Sequence, residues 1–161
     1  MLKKESKTMS KIASILLLII LLGACAKPPP AYDLKTQQSN TSSLLIGLHA
    51  LDEMLVWASG TEATLLRTDN GGEKWEVFQY EAADTLQFRD VHGLNEKEAL
   101  VLSIGQGTSS QILHFSLDSG WTKLFQVTDS SVFLDAFDFW DRQRGILYGD
   151  AVDSLPFILV T

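Results

Sequence analysis

The sequence predicts an all-β fold, a partial β-propeller of four-stranded antiparallel blades behind an N-terminal export segment. Two matches carry the repeat. LVWASG, ending at Gly60, matches LVLSIG, ending at Gly105, a step of 45, and Phe88-Arg89-Asp90 matches Phe133-Leu134-Asp135 at the same step of 45. A third observation sets the class. Short apolar or alternating runs alternate with Gly, Asp, Asn and Ser clusters, and no window after the export segment keeps a helical period. A repeat of this length made of short strands is the pattern of a propeller blade.

Residues 1–24 read as a lipoprotein signal peptide. Lys3, Lys4, Lys7 and Lys11 form a positive start, and residues 12–22 are an apolar run too short to span a bilayer comfortably. The run ends in Leu22-Gly23-Ala24-Cys25, which resembles the bacterial lipobox, and Cys25 is the single cysteine of the chain. The resemblance implies cleavage before Cys25 and acylation of its thiol. Residues from Met9 would already make a complete signal. Ala26 after the cysteine favours the outer membrane by resemblance to the sorting rule of enteric bacteria, so the expected place is the cell envelope, facing periplasm or surface. Residues 25–43, with three consecutive prolines and a polar run, read as a tether.

The blades follow in order. Blade 1 spans about 44–82, with strands at 44–48, 54–58, 63–68 and 75–80. Blade 2 spans about 87–128, with strands at 87–92, 99–103, 111–116 and 122–127. Blade 3, about 132–161, has strands at 133–140, 145–148 and 156–161, and lacks a fourth.

One hairpin stands out. Thr68 to Trp75 reads TDNGGEKW, with Asn70, Gly71 and Gly72 suited to positive φ and Asn70 placed to bond backbone N–H groups ahead of it. Trp75 is expected to fold back over the turn. Thr68, Asn70, Gly72 and Trp75 resemble the Asp-box of bacterial neuraminidase-type repeats, with Asn70 in place of Asp and Lys74 in place of Thr. Ser116, Asp118, Gly120 and Thr122 fit the same template 48 residues on, with Lys123 where the Trp is expected. A third box would open at Thr161, 45 residues beyond Ser116, so the chain is expected to be the N-terminal part of a longer propeller.

From residue 45 onward the chain resembles the photosystem II stability/assembly factor-like group of Asp-box propellers. VWASG, LLRTDNGGEKW, FRDVHGL, LSIGQG and FWDRQRGILYGDAVD carry that resemblance. It implies a closed propeller of about six or seven blades, of which this chain would hold two and a half.

Chemistry is sparse. The formal charge is −7, and the nine basic and nineteen acidic residues left after residues 1–24 argue against nucleic acid. Sialidase chemistry needs three convergent arginines with a nucleophile pair and an acid. Arg67, Arg142 and Arg144 are expected on a blade edge or in turns, and Phe88-Arg89-Asp90 lacks the Ile-Pro of the glycosidase motif. His49, His92 and His114 show no metal spacing, and Asp135, Asp138, Asp141, Asp150 and Asp153 read as turn and cap residues without a calcium-loop pattern. Gly105-Gln106-Gly107 lacks the helix that a phosphate site would need. Trp57 and Trp140 are expected to pack between blades. No catalytic, cofactor-binding or metal residue is assigned. The functional expectation is a membrane-anchored scaffold that binds or assembles another protein; a glycan-acting propeller and an inactive truncated product are the alternatives.

Overall fold

The computed structural model describes residues 31–81 and 85–161; residues 1–24 and Cys25 lie outside them. The chain divides into two units, and the described part of the first, residues 31–35, has no regular secondary structure. The second unit, Thr36–Thr161, is all-β. Its first sheet has the order β1 (Leu45–Ala50), β2 (Val56–Gly60), β3 (Thr64–Thr68), β4 (Glu76–Gln79). The second runs β5 (Gln87–Gly93), β6 (Glu98–Ile104), β7 (Gln111–Ser116), β8 (Gly120–Gln126). A three-stranded third sheet holds β9 (Leu134–Phe139), β10 (Gly145–Val152) and β11 (Leu155–Val160). All pairings are antiparallel. The molecule is a partial β-propeller.

Side-chain alternation decides which neighbour each blade residue meets. Trp57, Leu65 and Phe78 of blade 1 face Phe88, Val91, Val101, Leu113 and Phe115 of blade 2. Trp57 is fully buried, its indole N–H donating to the Asn95 carbonyl at 3.1 Å, so the ring contributes apolar area without stranding its polar atom. The opposite face of blade 2, with Leu100, Leu102 and Ile112, packs on Leu134, Phe137 and Leu147 of blade 3. Trp140 does not share this role: it sits in the β9–β10 turn and is 66% exposed.

The repeat register differs from the sequence matches. Each first strand reaches its second through a five-residue turn, which aligns Ala50–Val56, Gly93–Ala99 and Phe139–Gly145. That alignment equates Phe88 with Leu134, a step of 46, and Gly60 with Ser103, a step of 43. The matches at a step of 45 are therefore out of structural register, by two residues between blades 1 and 2 and by one between blades 2 and 3. Residue 122 also does not open a strand. Gly120 adopts φ +76°, closes a three-residue turn and pairs with Ser116, so β8 begins two residues earlier than expected.

Candidate functional site

The first strands of the blades, β1, β5 and β9, run side by side along the inner edge, and each carries a β-bulge at the same place. The register skips Ile46 between Leu45 and Gly47, Arg89 between Phe88 and Asp90, and Asp135 between Leu134 and Ala136. An extra residue leaves its side chain out of the ladder and re-aims it. Ile46, Arg89 and Asp135 all border one open depression of about 760 Å³, together with Asp90 and Tyr148. The exposed Arg89 guanidinium and the half-buried Asp135 carboxylate thus reach the inner mouth from neighbouring blades.

Asp90 ties the floor together. Its carboxylate accepts N–H bonds from Val91 at 2.9 Å and from Phe137 of the next blade at 3.1 Å. Burial pushes this carboxyl above its usual value, although both N–H groups pull it down. Gly47 stands at the corresponding position of blade 1, where a Cβ would press on the Asp90 backbone and the Ser59 hydroxyl.

Two residues beyond Asp90 and Gly47, the histidines meet. His49 and His92 occupy equivalent positions on β1 and β5 and stack with ring centroids 4.4 Å apart. His49 Nδ1 accepts the Gly93 N–H at 2.7 Å, which fixes that nitrogen as unprotonated in the bonded state. Asp138, the equivalent residue of β9, lies 3.8 Å from His92 Nδ1. Burial and the adjacent His49 hold the His92 pKa below its ordinary value, against the pull of Asp138. Among the described residues, no three His, Cys, Asp or Glu side chains form a metal-holding group.

The two expected boxes have different geometry. Thr68, almost fully buried at the end of β3, accepts the Gly72 N–H through Oγ1 at 2.9 Å and donates to Asn70 Oδ1 at 2.9 Å. Asn70 Oδ1 in turn accepts the Lys74 N–H at 3.0 Å. Gly72 adopts φ +86°, and a Cβ there would collide with the Gln37 side chain. Gln37 was read only as tether. Its amide oxygen accepts the Trp75 indole N–H at 3.1 Å and its nitrogen donates to the Gly71 carbonyl at 3.0 Å. Asn40 adds a bond to the Trp75 carbonyl at 3.1 Å. In the second hairpin Ser116 accepts the Asp118 N–H at 3.2 Å, while the Asp118 carboxylate pairs with Lys97 at 3.2 Å. Gly120 and Thr122 lie in the β8 ladder, Thr122 opposite His114. The aromatic residue of this hairpin is Trp121, packed on Phe115 and Phe88 at 4.8 and 5.6 Å. The signal was the Gly-Trp pair itself, overlooked because the template placed the ring two residues later.

The arginines do not form one set. Arg67 is buried on an interior strand, not on an edge: it pairs with Asp69 and Glu76, donates to the Glu96 carbonyl and lies over the Trp57 ring. Arg142 pairs with Glu98, and Arg144 with Asp141. Only Arg89 borders the inner depression.

Fold and inner mouth together define the class, a β-propeller whose first strands deliver bulged side chains to a central opening. Two solved structures share the fold. The structure described as YCF48 bound to D1 peptide matches with a TM-score of 0.58 and 17% identity, over 84% of this chain and 46% of that one. YCF48 from Cyanidioschyzon merolae matches with a TM-score of 0.52 and 18% identity, over 68% of this chain and 37% of that one. The chain therefore spans less than half the length of either. No family model matches the sequence, and no curated protein does.

Proposed function

We propose that this chain is the propeller part of a lipid-anchored envelope protein that binds another protein at the inner mouth and performs no catalysis of its own. The observation that carries the reading is the aligned set of bulges, which turns Ile46, Arg89 and Asp135 from three blades toward one opening. A depression with an apolar wall, a cation and carboxylates suits a peptide segment, whose backbone and mixed side chains offer both charges and apolar area. The similar structure described as bound to a peptide supports a protein partner over a glycan. The anchor rests on the sequence alone: the lysine-bearing start, the apolar run 12–22 and the Leu22–Cys25 pattern.

A photo-crosslinking residue at Ile46, which is 40% exposed, should give one discrete protein adduct in cells. Arg89→Glu should remove that adduct while the fold, read by circular dichroism, is kept. Loss of the adduct in neither Arg89→Glu nor Asp135→Lys would overturn the mouth as the binding face. Cys25 is tested separately. An alkyne fatty acid should label the chain and leave Cys25→Ala unlabelled, and equal labelling of both would end the lipoprotein reading. Each acyl methylene buried in a bilayer contributes about 0.8 kcal/mol, so two or three chains hold firmly.

A further inference from the structure

We propose that the His49–His92 stack is an acid-sensitive latch between blades 1 and 2 that regulates the inner mouth: neutral rings hold the mouth in its binding form, and protonation of the pair releases the partner. The release rests on the mouth being the binding face. The latch itself rests on how the first strands are joined. Between β5 and β9 the joint is a carboxylate, since Asp90 accepts the Phe137 N–H of the next blade at 3.1 Å. Blade 1 has Gly47 at the position of Asp90 and cannot make that bond. There an imidazole takes an N–H of the next blade instead: His49 Nδ1 accepts the Gly93 N–H at 2.7 Å. Among the described residues this is the one hydrogen bond between β1 and β5.

The two joints respond differently to acid. A carboxyl group keeps an acceptor oxygen whether or not it is protonated, so the Asp90 joint survives a change of charge. An imidazole nitrogen accepts an N–H only while it carries no proton of its own. A proton on His49 Nδ1 would face the Gly93 N–H and break the joint. A proton on His92 sits against a second ring whose centroid is 4.4 Å away, on a side chain only 16% exposed. Two charged rings at that distance repel, so the stack as built accommodates one proton at most. Burial and His49 disfavour charge on His92, and Asp138 on β9, at 3.8 Å, favours it. Asp90 on β5 also faces His49 and Asp138. Arg89 and Asp135 lie three residues back along their strands, at the mouth. The cross-strand neighbours carry no charge: Trp57 opposite His49, Leu100 opposite His92 and Ile146 opposite Asp138.

Position couples the latch to the mouth. Ile46, Gly47 and Leu48 run directly into His49, and Arg89 and Asp90 precede His92 on β5; all five border the same depression. Separating β1 from β5 therefore moves Ile46 away from Arg89, one wall of the mouth from the other. A partner that touches both strands holds the latch shut. By linkage, a proton that opens the latch weakens the partner by the same factor by which the partner weakens the proton.

The test uses membranes from cells making the full chain with the photo-crosslinking residue at Ile46. Adduct yield should fall at least about fivefold between about pH 7.5 and about pH 5.5, the lower end of ordinary coupling between two sites across the range where histidine titrates. His49→Asn offers an oxygen to the Gly93 N–H without titrating, and His92→Phe keeps a ring in the stack without a charge. The double variant should give the same yield at both pH values, and His92→Phe alone should shrink the drop. A second readout needs no partner. In the full chain in detergent, amide exchange corrected for its intrinsic pH dependence should show protection of β1 and β5 lost at the lower pH and kept in the double variant. A drop in yield that persists in the double variant, or protection that does not change with pH, overturns the latch. If no adduct forms at either pH, the mouth fails as the binding face and the release of a partner fails with it, while the exchange result alone decides the latch.

Discussion

Thr68 engages one hydroxyl in three hydrogen bonds of the first hairpin, two with Asn70 and one with Gly72, and its side chain is almost fully buried there. Thr68→Val keeps the shape but leaves the Gly72 N–H unpaired in a buried place, which costs about 1–3 kcal/mol. Urea titration should show that loss as a lower midpoint with an unchanged slope. Gly72→Ala should also destabilise by on the order of 1 kcal/mol or more, because φ +86° resists a side chain and Gln37 occupies the space. The histidine pair gives a pH dependence whose sign follows from His92. Its pKa is lowered in the folded chain, so the folded state binds fewer protons than the unfolded one below the ordinary value of 6.5. His92 therefore contributes stability present above about pH 6.5 and lost as pH falls toward its folded pKa. Asp138 on β9 opposes this, while His49 on β1 reinforces it and Phe139 offers no charge. The denaturation midpoint should fall between about pH 7 and 5, and His92→Phe should flatten that slope. An equal slope in both proteins would remove His92 as its source.

At the scale of the element, the turn joining first and second strands is built three times from the same bonds. Asp52 Oδ1 accepts the N–H groups of Met54 and Leu55, Asn95 Oδ1 those of Lys97 and Glu98, and Asp141 Oδ1 those of Gln143 and Arg144, at 2.7–3.0 Å. Each turn closes with the same backbone bond, Leu51 to Leu55, Leu94 to Glu98 and Trp140 to Arg144. Asp141 was legible as a turn residue, since Asp and Asn cap turns in this way. The equivalence of the three was hidden because the steps between them are unequal, 43 from Asp52 to Asn95 and 46 from Asn95 to Asp141. The bulges were hidden more completely, because an extra residue in a strand leaves no compositional mark. Arg89 was noticed for a resemblance to a glycosidase motif, while the backbone irregularity that exposes it became visible only in the register. Asn95→Ala removes the one oxygen that accepts the Lys97 and Glu98 N–H groups, and the Nδ2 bond to Glu98 Oε2 at 2.7 Å. It should lower stability by about 1 kcal/mol, and the β5–β6 turn amides should exchange faster than those of the untouched Asp52 turn.

Across the molecule, strand composition and turn punctuation sufficed for the class, since short apolar runs between Gly, Asn and Asp clusters have few other solutions. The partners within the fold were less legible. Gln37 lies in a segment read as tether, and no local pattern connects it to Trp75 38 residues away. Trp57 and Trp140 looked alike in sequence, yet one is fully buried and the other 66% exposed, because only one lies in a strand with a blade on that side. The same contrast governs the surface as a whole. On blade 3, Tyr148 lies opposite Ile158 and Ile146 opposite Val160, and Tyr148, Leu155, Ile158 and Val160 are between 52% and 70% exposed. A contiguous apolar area of this kind marks an interaction surface or an aggregation site. The full chain in detergent-free buffer should therefore bind a hydrophobic reporter dye strongly while keeping its β signal in the far ultraviolet. Ile158→Lys and Val160→Lys together place two charges on the open edge strand, the natural means of blunting such edges. They should cut both dye fluorescence and concentration-dependent light scattering, with little change in the unfolding midpoint, because neither side chain is buried. If scattering persists undiminished in the double variant, association arises elsewhere than the β11 edge.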